Sequence, residues 1–349
     1  MSPLRIAVAG AGYIGQAHVG VVQASASCTL SALVDPAPAA EALARQAGVP
    51  WYRDLATLIA QDRPDAVVLA TPNQLHLAHA CLCIEAGLPV LLEKPITPTV
   101  EQAQALVQLA DERGAKLLIG HHRAHSPIMA RAREVVAQGR LGAIVAVVGT
   151  AMFFKPDQYY ADGPWRREAG GGPILLNLIH EVHNLRMLCG EIVSVQALAS
   201  SATRGFAVED TVAINLRFAS GALGTFLLSD TAASARSWEQ TAQENPAYAS
   251  YGDEDCYVVA GTFGSLAVPT MRLKTYARPE DRSWWQPFAL DTLALEREDP
   301  LARQIEHFVQ VARGEAEPIV SARDGLRNLR VTEAIAEAAH IGAAIDIPL

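Results

Sequence analysis

A glycine-rich loop near the start of the chain carries residues suited to binding a dinucleotide. The loop, Gly10-Ala11-Gly12-Tyr13-Ile14-Gly15, follows the apolar run Ile6–Ala9 and precedes a segment with helical character. In this strand–turn–helix context the first glycine permits a tight turn, the second admits a pyrophosphate, and the third lets the helix pack on the strand. We therefore predict dinucleotide contacts from the following residues of the loop: Gly10, Gly12, Tyr13, Ile14 and Gly15.

An acidic residue after the second predicted strand bears on the form of the dinucleotide. The run Leu30–Val34 predicts this strand, and Asp35 follows it at about the twenty-residue spacing from the glycines that ribose binding requires. A carboxylate there accepts hydrogen bonds from a free 2′-hydroxyl and repels a 2′-phosphate. The next residues, Pro36–Ala39, include no Arg or Lys to neutralise a phosphate. NAD is therefore favoured over NADP, with dual use as the alternative if a basic residue distant in sequence lies nearby.

The elements that position these residues predict a doubly wound α/β sheet. Three further apolar runs are typical of strands covered on both faces of a parallel sheet: Ala66–Ala70, Pro89–Leu92 and Lys116–Gly120. Polar residues follow each run, at the carboxyl ends of the strands, where open α/β sheets bind ligands. These residues are Thr71, Pro72, Asn73 and His76; Glu93 and Lys94; and His121, His122 and Arg123.

The pattern changes after about residue 123. Alternating runs predict a second, mainly antiparallel sheet: Ala143–Met152, Val193–Ala199, Val212–Phe218, Ala222–Leu228, Cys256–Ala260 and Ser265–Val268. Two amphipathic stretches, 300–311 and 323–340, predict closing helices. The predicted architecture is a Rossmann dinucleotide-binding domain over 1–122 and an α+β domain with an open sheet over 123–349.

Composition narrows the function classes. A net charge of −9 and a pI near 5.6 argue against a nucleic-acid or anionic-membrane surface. No apolar run approaches the length that spans a bilayer, and the five scattered cysteines do not suggest a disulfide framework. The first residues lack the basic and apolar regions of a secretion signal, so we expect a cytoplasmic protein.

Five segments together resemble the Gfo/Idh/MocA oxidoreductases, the family of glucose–fructose oxidoreductase and the inositol dehydrogenases. They are the glycine loop, Ala70–Asn73 with His76, Glu93-Lys94-Pro95, Gly120–Arg123 and Gly170–His180. The C-terminal segments 313–318 and 321–325 fit the same family, and all the matches occur in the right order.

The resemblance implies reversible oxidation of a secondary alcohol by NAD(P), most often on a sugar or cyclic polyol. It implies cofactor contacts from Thr71, Pro72, Asn73, His76, Glu93 and Lys94. It also implies that residues 123–349 bind substrate and form an oligomer through the open sheet, so we expect a homodimer or homotetramer.

Two residues suit the chemistry of carbinol oxidation. The hydroxyl proton needs a base with a pKa near the working pH, which favours histidine, and His180 lies in the helix that follows the Gly170–Gly172 run. Lys94, at the end of a central strand, can hydrogen-bond the substrate oxygen and stabilise a developing alkoxide. We predict that Lys94 and His180 are the catalytic residues.

One position departs from the family pattern. The family places an aspartate four residues before the helix histidine, and this chain has Leu176 there. Leucine cannot orient or support an imidazole as a carboxylate can. Asn177, three residues before His180, and Asn184, four after it, share its helix face, and either could hold the ring through a hydrogen bond. Our hypothesis is that Asn177 positions the ring or a substrate hydroxyl.

Further residues are candidates for substrate contact. Arg123 follows the last strand of the first domain, and Trp165 with Arg166 offers a flat apolar face and a fork of donors before the glycine run. The polar stretch that contains Trp238, Asn245 and Tyr248 is an insertion of the kind that tunes specificity. Packing is the alternative role for each aromatic residue.

We expect no metal ion, because the histidines lack the spacing of a ligand set. His121, His122 and His125 cluster, but the sequence from His180 to His183 is H-E-x-H rather than the zinc motif H-E-x-x-H.

Two alternatives to a sugar or polyol dehydrogenase stay open. The same fold can act on a cis-dihydrodiol or an imine, which the apolar neighbours of His180 favour. A nucleotide-binding sensor without turnover is the other, and Leu176 is the feature that supports it.

Overall fold

The computed structural model describes residues 2–349, which divide into two compact units. The first unit contains residues up to His125 and the segment Pro300–Leu329, and the second contains Ser126–Asp299 and Arg330–Leu349. The predicted boundary at residue 122 lies close to the end of the first stretch. The return of Pro300–Leu329 to the first unit has no counterpart in the sequence-based division.

The first unit is built on a six-stranded parallel sheet. Its strands are β1 (Leu4–Ala9), β2 (Cys28–Val34), β3 (Trp51–Tyr52), β4 (Ala66–Leu69), β5 (Val90–Glu93) and β6 (Leu117–Gly120). They lie in the order β3-β2-β1-β4-β5-β6. Successive strands are therefore added on one side of β1 up to β3, and on its other side from β4 onwards. Every residue of β4, β5 and β6 is buried, as the uninterrupted apolar runs predict.

Helices connect these strands. They are α1 (Tyr13–Ala24), α2 (Ala39–Ala47), α3 (Leu55–Gln61), α4 (His76–Glu85) and α5 (Val100–Arg113). Gly48 and Gly114 end α2 and α5 in the left-handed conformation that glycine tolerates best. Asp54 and Thr99 cap the N termini of α3 and α5 by accepting backbone N–H bonds with their side chains.

The second unit contains a nine-stranded mixed sheet. Its strands are β7 (Ile144–Met152), β8 (Ile192–Ser200), β9 (Thr211–Phe218), β10 (Leu223–Ser229), β11 (Tyr257–Gly261), β12 (Gly264–Val268), β13 (Arg272–Thr275), β14 (Ala289–Thr292) and β15 (Ile345–Asp346). The order is β14-β13-β12-β11-β7-β10-β9-β8-β15. The β7–β10 pair is parallel and the other pairs are antiparallel, so the prediction of a mainly antiparallel sheet is confirmed.

The second unit also contains α-helices that precede residue 300. They are α6 (Pro127–Ala137), α7 (Asp157–Ala161), α8 (Ile179–Cys189) and α9 (Trp238–Thr241). Side chains of α6 and α8 form one buried core with the inward residues of the strands. Along β9 and β10 buried and exposed residues alternate, so the opposite face of the sheet stays open.

Two helices close the chain, α10 (Pro300–Arg313) and α11 (Ala322–Ile341), in agreement with the amphipathic stretches of the sequence. No helix within residues 2–349 is long and apolar enough to cross a membrane.

Candidate active site

The glycine loop has the geometry that the sequence predicts. Gly10 has a φ of +100°, and a Cβ on it would collide with the carbonyl oxygen of Ala70. A Cβ on Gly15 would collide with the carbonyl oxygen of Gly10, so both glycines are required by close backbone approach. A Cβ on Gly12 would meet nothing within 4 Å. The second glycine therefore leaves open space at the N terminus of α1.

This open space fits the pyrophosphate of a dinucleotide. Helix α1 begins at Tyr13 after Gly12, and none of the described side chains caps it. Its first N–H groups and its positive dipole end therefore point towards the space beside Gly12. Tyr13 is 82% exposed, and Ile14 is half-buried beside it.

Asp35 ties the glycine loop to the end of β2. Its Oδ2 accepts the backbone N–H of Ala11 at 2.8 Å, and its Oδ1 accepts that of Ala37 at 2.8 Å. Each carboxylate oxygen accepts more than one hydrogen bond. The carboxylate is thus held in a fixed position beside the loop with remaining capacity for a ribose hydroxyl, as the NAD prediction requires.

His76 links the ends of two neighbouring strands. Its ring nitrogens lie 2.9 Å from the carbonyl oxygen of Thr71 and 2.7 Å from that of Pro95. Burial lowers the pKa of His76 below its ordinary value of 6.5, despite the two carbonyls that favour a second proton. His76 therefore lies between these two strand ends, close to Pro72 and Asn73 in sequence.

Lys94 lies directly after a buried carboxylate. Glu93 Oε1 is 2.8 Å from Nε2 of His18 on α1, and Glu93 Oε2 accepts the backbone N–H of Lys94 at 3.2 Å. Burial alone would raise the pKa of Glu93, but the hydrogen bond from His18 and the charges of His18 and Lys94 outweigh it and lower the pKa. The carboxylate form of Glu93 thus joins α1 to the backbone at Lys94.

Arg123 is buried in a short 3₁₀ helix, His122–His125, after β6. Before it, His121 Nε2 accepts a hydrogen bond from the amide of Asn328 at 3.1 Å. The His125 ring lies 5.2 Å from that of His307 on α10. Within residues 2–349, no group of three or more His, Cys, Asp or Glu side chains is arranged to hold a metal ion.

His180 follows a change of helix type. Ile174–Leu178 forms a single π-helical turn that continues directly into α8, where His180 is the second residue and is buried. Such turns occur often at functional sites. On the same helix, Glu181 accepts a hydrogen bond from the hydroxyl of Tyr257, which also accepts one from Asn184 Nδ2 at 3.0 Å. This network fixes the rotation of α8 and therefore the position of His180.

Asn177, within the π-helical turn, contacts a residue that the sequence analysis did not identify. Its Oδ1 accepts a hydrogen bond from Lys155 Nζ at 2.7 Å. Lys155 follows the end of β7, and its ammonium lies 4.8 Å from the centre of the Tyr159 ring. The chain has only four lysines, at 94, 116, 155 and 274. The rarity of lysine was therefore the one feature of the sequence that could have drawn attention to Lys155.

Asp230 joins the Lys155 group to two further buried residues. Its Oδ2 lies 3.5 Å from Lys155 Nζ and accepts the hydroxyl of Tyr160 at 2.6 Å. Its Oδ1 accepts Arg204 Nε at 3.1 Å. These partners are 26 to 75 positions apart in sequence, so no local pattern predicts the network.

Trp165 and Arg166 lie in a 3₁₀ helix, Pro164–Arg167. Trp165 is 52% exposed. Arg166 packs 3.9 Å from the centre of the Tyr159 ring and donates to the Tyr159 carbonyl. Arg166 therefore shapes this loop, and a contact with substrate remains a prediction for both residues.

The insertion residues are placed in different ways. Trp238 is buried and donates from Nε1 to Glu244 at 3.1 Å, whereas Tyr248 is 45% exposed and Asn245 is exposed. Packing is therefore the role that the structure gives Trp238.

The predicted site residues fall into two groups. The first unit brings together the glycine loop, Asp35, Thr71, His76 and the Glu93–Lys94 pair at the carboxyl edge of its sheet. The second unit holds Trp165, Arg166, Asn177 and His180. The two predicted catalytic residues, Lys94 and His180, thus belong to different units.

The parallel sheet, the glycine loop and the acidic residue after β2 define a dinucleotide-binding oxidoreductase. A family model described as an oxidoreductase family with an NAD-binding Rossmann fold matches residues 4–121. A second model, the GFO/IDH/MocA C-terminal domain, matches residues 129–267. The chain belongs to the Gfo/Idh/MocA family of NAD(P)-dependent oxidoreductases.

Named relatives extend over nearly the whole chain. The 1,5-anhydro-D-fructose reductase of Ensifer adhaerens is 27% identical over 94% of this chain and 94% of its own length. The inositol 2-dehydrogenase of Rhizobium meliloti is 28% identical over 95% of each. The structure of the WlbA dehydrogenase of Bordetella pertussis, in complex with NADH and UDP-GlcNAcA, is 25% identical, covers 100% of both chains and has a TM-score of 0.79.

Proposed function

We propose that this protein is an NAD-dependent dehydrogenase that reversibly oxidises a secondary hydroxyl of a sugar or cyclic polyol. The observation that carries the proposal is the shared sheet edge of Lys94 and the glycine loop. Strands β1 and β5 are parallel and only β4 lies between them, so their carboxyl ends meet at one edge. The relatives named as an inositol dehydrogenase and an anhydrofructose reductase support the substrate class.

The residues of the first unit hold the cofactor. The N-terminal N–H groups of α1 and the space beside Gly12 bind the pyrophosphate, and Asp35 binds the ribose hydroxyl. The bound nicotinamide supplies the hydride acceptor for oxidation. The carboxylate of Asp35 disfavours the 2′-phosphate of NADP.

Lys94 and His180 have different roles at the substrate hydroxyl. The ammonium of Lys94 donates a hydrogen bond to the substrate oxygen and stabilises the negative charge that develops on it. The imidazole of His180 accepts the hydroxyl proton, and returns it when the reaction runs in the direction of reduction. The proposal requires that both side chains reach the same carbinol.

A steady-state screen tests the proposal. NAD and NADP are each combined with monosaccharides, inositols, anhydrosugars and cis-dihydrodiols, using wild type, Lys94→Ala, His180→Ala and the exposed-lysine control Lys274→Ala. We expect activity with NAD on a sugar or polyol. Loss of the donor to the oxyanion lowers kcat by about 10²–10³-fold, and loss of the base by about 10²–10⁴-fold. The control keeps wild-type kcat.

Other outcomes select the alternatives. Activity on a dihydrodiol without activity on any polyol would move the substrate to that class, which the leucines beside His180 favour. Tight NAD binding with no turnover would instead indicate a sensor. An unchanged kcat in Lys94→Ala would remove Lys94 from the chemistry.

A further inference from the structure

The turn before His180 is hydrogen-bonded to a buried ammonium group. Lys155 is only 9% exposed, and its Nζ lies 2.7 Å from Asn177 Oδ1 and 3.5 Å from Asp230 Oδ2. The Tyr159 and Phe153 rings lie 4.8 and 5.6 Å from Nζ. The described partners of this buried ammonium thus include an amide oxygen, a carboxylate and two aromatic rings, and in such surroundings the cation interacts strongly with the amide dipole.

The carboxylates near this ammonium are already committed to other donors. Asp230 accepts the Tyr160 hydroxyl at 2.6 Å and Arg204 Nε at 3.1 Å. Glu209 Oε1 accepts the backbone N–H of Ile174 at 2.8 Å, and the carboxylate packs where a Cβ on Gly172 would stand. Glu209 therefore holds the start of the π-helical turn in place.

Lys155 also sets the orientation of the Asn177 amide. An ammonium group has only donors, so it pairs with the amide oxygen and turns the NH₂ group to the other side. Asn177 is half-buried rather than buried, and it lies within one helical turn of His180. The amide thus offers N–H donors, polarised by the cation behind its oxygen.

This arrangement reverses the hydrogen-bonding sense of the family pattern. The family aspartate is an acceptor, and this chain replaces it with Leu176 and adds the Asn177 donor backed by Lys155. We propose that Asn177 and Lys155 form a subsite that reads a carboxylate on the substrate, so that the substrate is a sugar acid. The inference rests on the proposed function, in which His180 faces the substrate carbinol.

Matched substrate pairs test the subsite. Initial rates with NAD compare D-glucose with D-glucuronate and D-galactose with D-galacturonate, and D-glucose 6-phosphate represents a phosphate. We expect kcat/KM for the acid to exceed that for the neutral sugar by at least about tenfold, because hydrogen bonds to ionised acceptors are the stronger ones. The phosphate ester is a poorer substrate than the acid.

Two variants separate recognition from folding. Asn177→Asp keeps the size and the pairing with Lys155 but presents a carboxylate, so the acid-to-neutral ratio falls at least about tenfold through KM. Lys155→Met lowers the ratio in the same direction, and Lys274→Met serves as the control at an exposed lysine. A purely structural role would lower kcat for both substrates of a pair and leave the ratio unchanged.

A binding measurement distinguishes failure of this inference from failure of the proposed function. Calorimetry measures binding of each acid and its neutral partner to the enzyme–NADH complex. Acid binding that Asn177→Asp abolishes, without any turnover, would keep the subsite and overturn the dehydrogenase. Turnover that favours neutral sugars, or a preference for the phosphate ester, would overturn the subsite and keep the dehydrogenase. Absence of both turnover and acid binding would overturn both.

Discussion

A single buried carboxylate connects the dinucleotide-binding helix to the residue proposed to contact the substrate oxygen. One carboxylate oxygen of Glu93 is hydrogen-bonded to His18 of α1, and the other accepts a hydrogen bond from the backbone N–H of Lys94. A Cβ on Gly120 would lie 3.0 Å from Glu93, so the neighbouring strand leaves room for this side chain. Within the motif Glu93-Lys94-Pro95, Glu93 therefore has a structural role, and Lys94 is the residue that we propose for the chemistry.

Replacing Glu93 by Gln tests this structural role. Charge-assisted hydrogen bonds contribute about 1.5–3 kcal/mol, so we expect Glu93→Gln to lower the free energy of unfolding by about that amount at neutral pH. Because the pKa of Glu93 is lowered in the folded protein, its contribution is fully present above the ordinary value of 4.5 and is lost as the pH falls through the lower value.

Urea unfolding of both proteins, at neutral pH and in steps below the ordinary carboxyl pKa, measures the difference. The difference in the free energy of unfolding between wild type and Glu93→Gln becomes smaller as the pH falls. Glu85→Gln, at an exposed position near the end of α4, is the control. A gap that stays constant at every pH would show that the charge of Glu93 does not stabilise the fold.

Residues with a sequence signature could be predicted, whereas residues assembled only by the fold could not. Asp35 stands at a fixed spacing from the glycines, and Lys94 lies in a recognisable motif. Lys155, Asp230 and Arg204 converge from three separate segments. The sequence therefore indicated Asn177 but not Lys155, the partner that fixes the orientation of its amide.

At the scale of elements, the glycine loop shows that three similar residues have different physical tasks. Gly10 and Gly15 are required because a Cβ would collide with backbone carbonyls. Gly12 has a φ of −70°, a conformation open to any residue, and faces empty space. Packing therefore explains two of the glycines, and the open space beside the third is where we propose that the pyrophosphate binds.

Substitutions in α1 and its loop test this division. We expect Gly12→Val to fold like wild type and to weaken NAD binding at least about 100-fold, since its side chain fills the space proposed for the pyrophosphate. Gly15→Ala lowers stability by about 1–3 kcal/mol, because its Cβ meets the Gly10 carbonyl. Titration calorimetry and thermal melting separate the two effects.

Gly20→Ala is the matched control within α1. Its Cβ meets nothing within 4 Å, so it leaves NAD affinity intact and stabilises the helix by about 0.5–1 kcal/mol. Wild-type NAD affinity in Gly12→Val would contradict the assignment of the phosphate site.

The elements that the sequence predicted are those with strong hydrophobic patterns. The apolar runs of β4, β5 and β6 and the alternation in β9 and β10 are confirmed. Strand β14, with every residue exposed, and the two-residue strands β3 and β15 give no such pattern. The π-helical turn lies in the run Ile174–Leu178, where every residue except Asn177 is apolar, so periodicity cannot distinguish a π turn from an α turn.

At the scale of the whole molecule, the open face of the second sheet is the feature that indicates a protein interface. Apolar side chains are exposed along four of its strands: Val148, Leu198, Leu223, Leu227 and Val258. A depression of about 460 Å³ on this face is bordered by residues of β7, β8, β9 and β10. Contiguous exposed apolar surface of this kind marks interaction sites.

The size of this face suits a second copy of the chain. Nine strands spaced about 4.8 Å apart span about 40 Å, and strands of up to nine residues run about 30 Å, giving a face on the order of 1,000 Å². Two such faces together approach the area of about 2,000 Å² that obligate homodimers bury. We therefore expect a homodimer or homotetramer that forms through this sheet.

Charged substitutions on the face test the oligomer. Val148, on the central strand β7, and Leu198, on β8, are 54% and 72% exposed, and we expect Val148→Asp with Leu198→Asp to convert the oligomer to a monomer by burying two carboxylates at the interface. Ile319→Asp, in the first unit and outside this sheet at 39% exposure, is the control and stays oligomeric. Sedimentation velocity at micromolar concentration measures all three proteins. A monomeric wild type would contradict the expectation, and dissociation by Ile319→Asp alone would move the interface away from the second sheet.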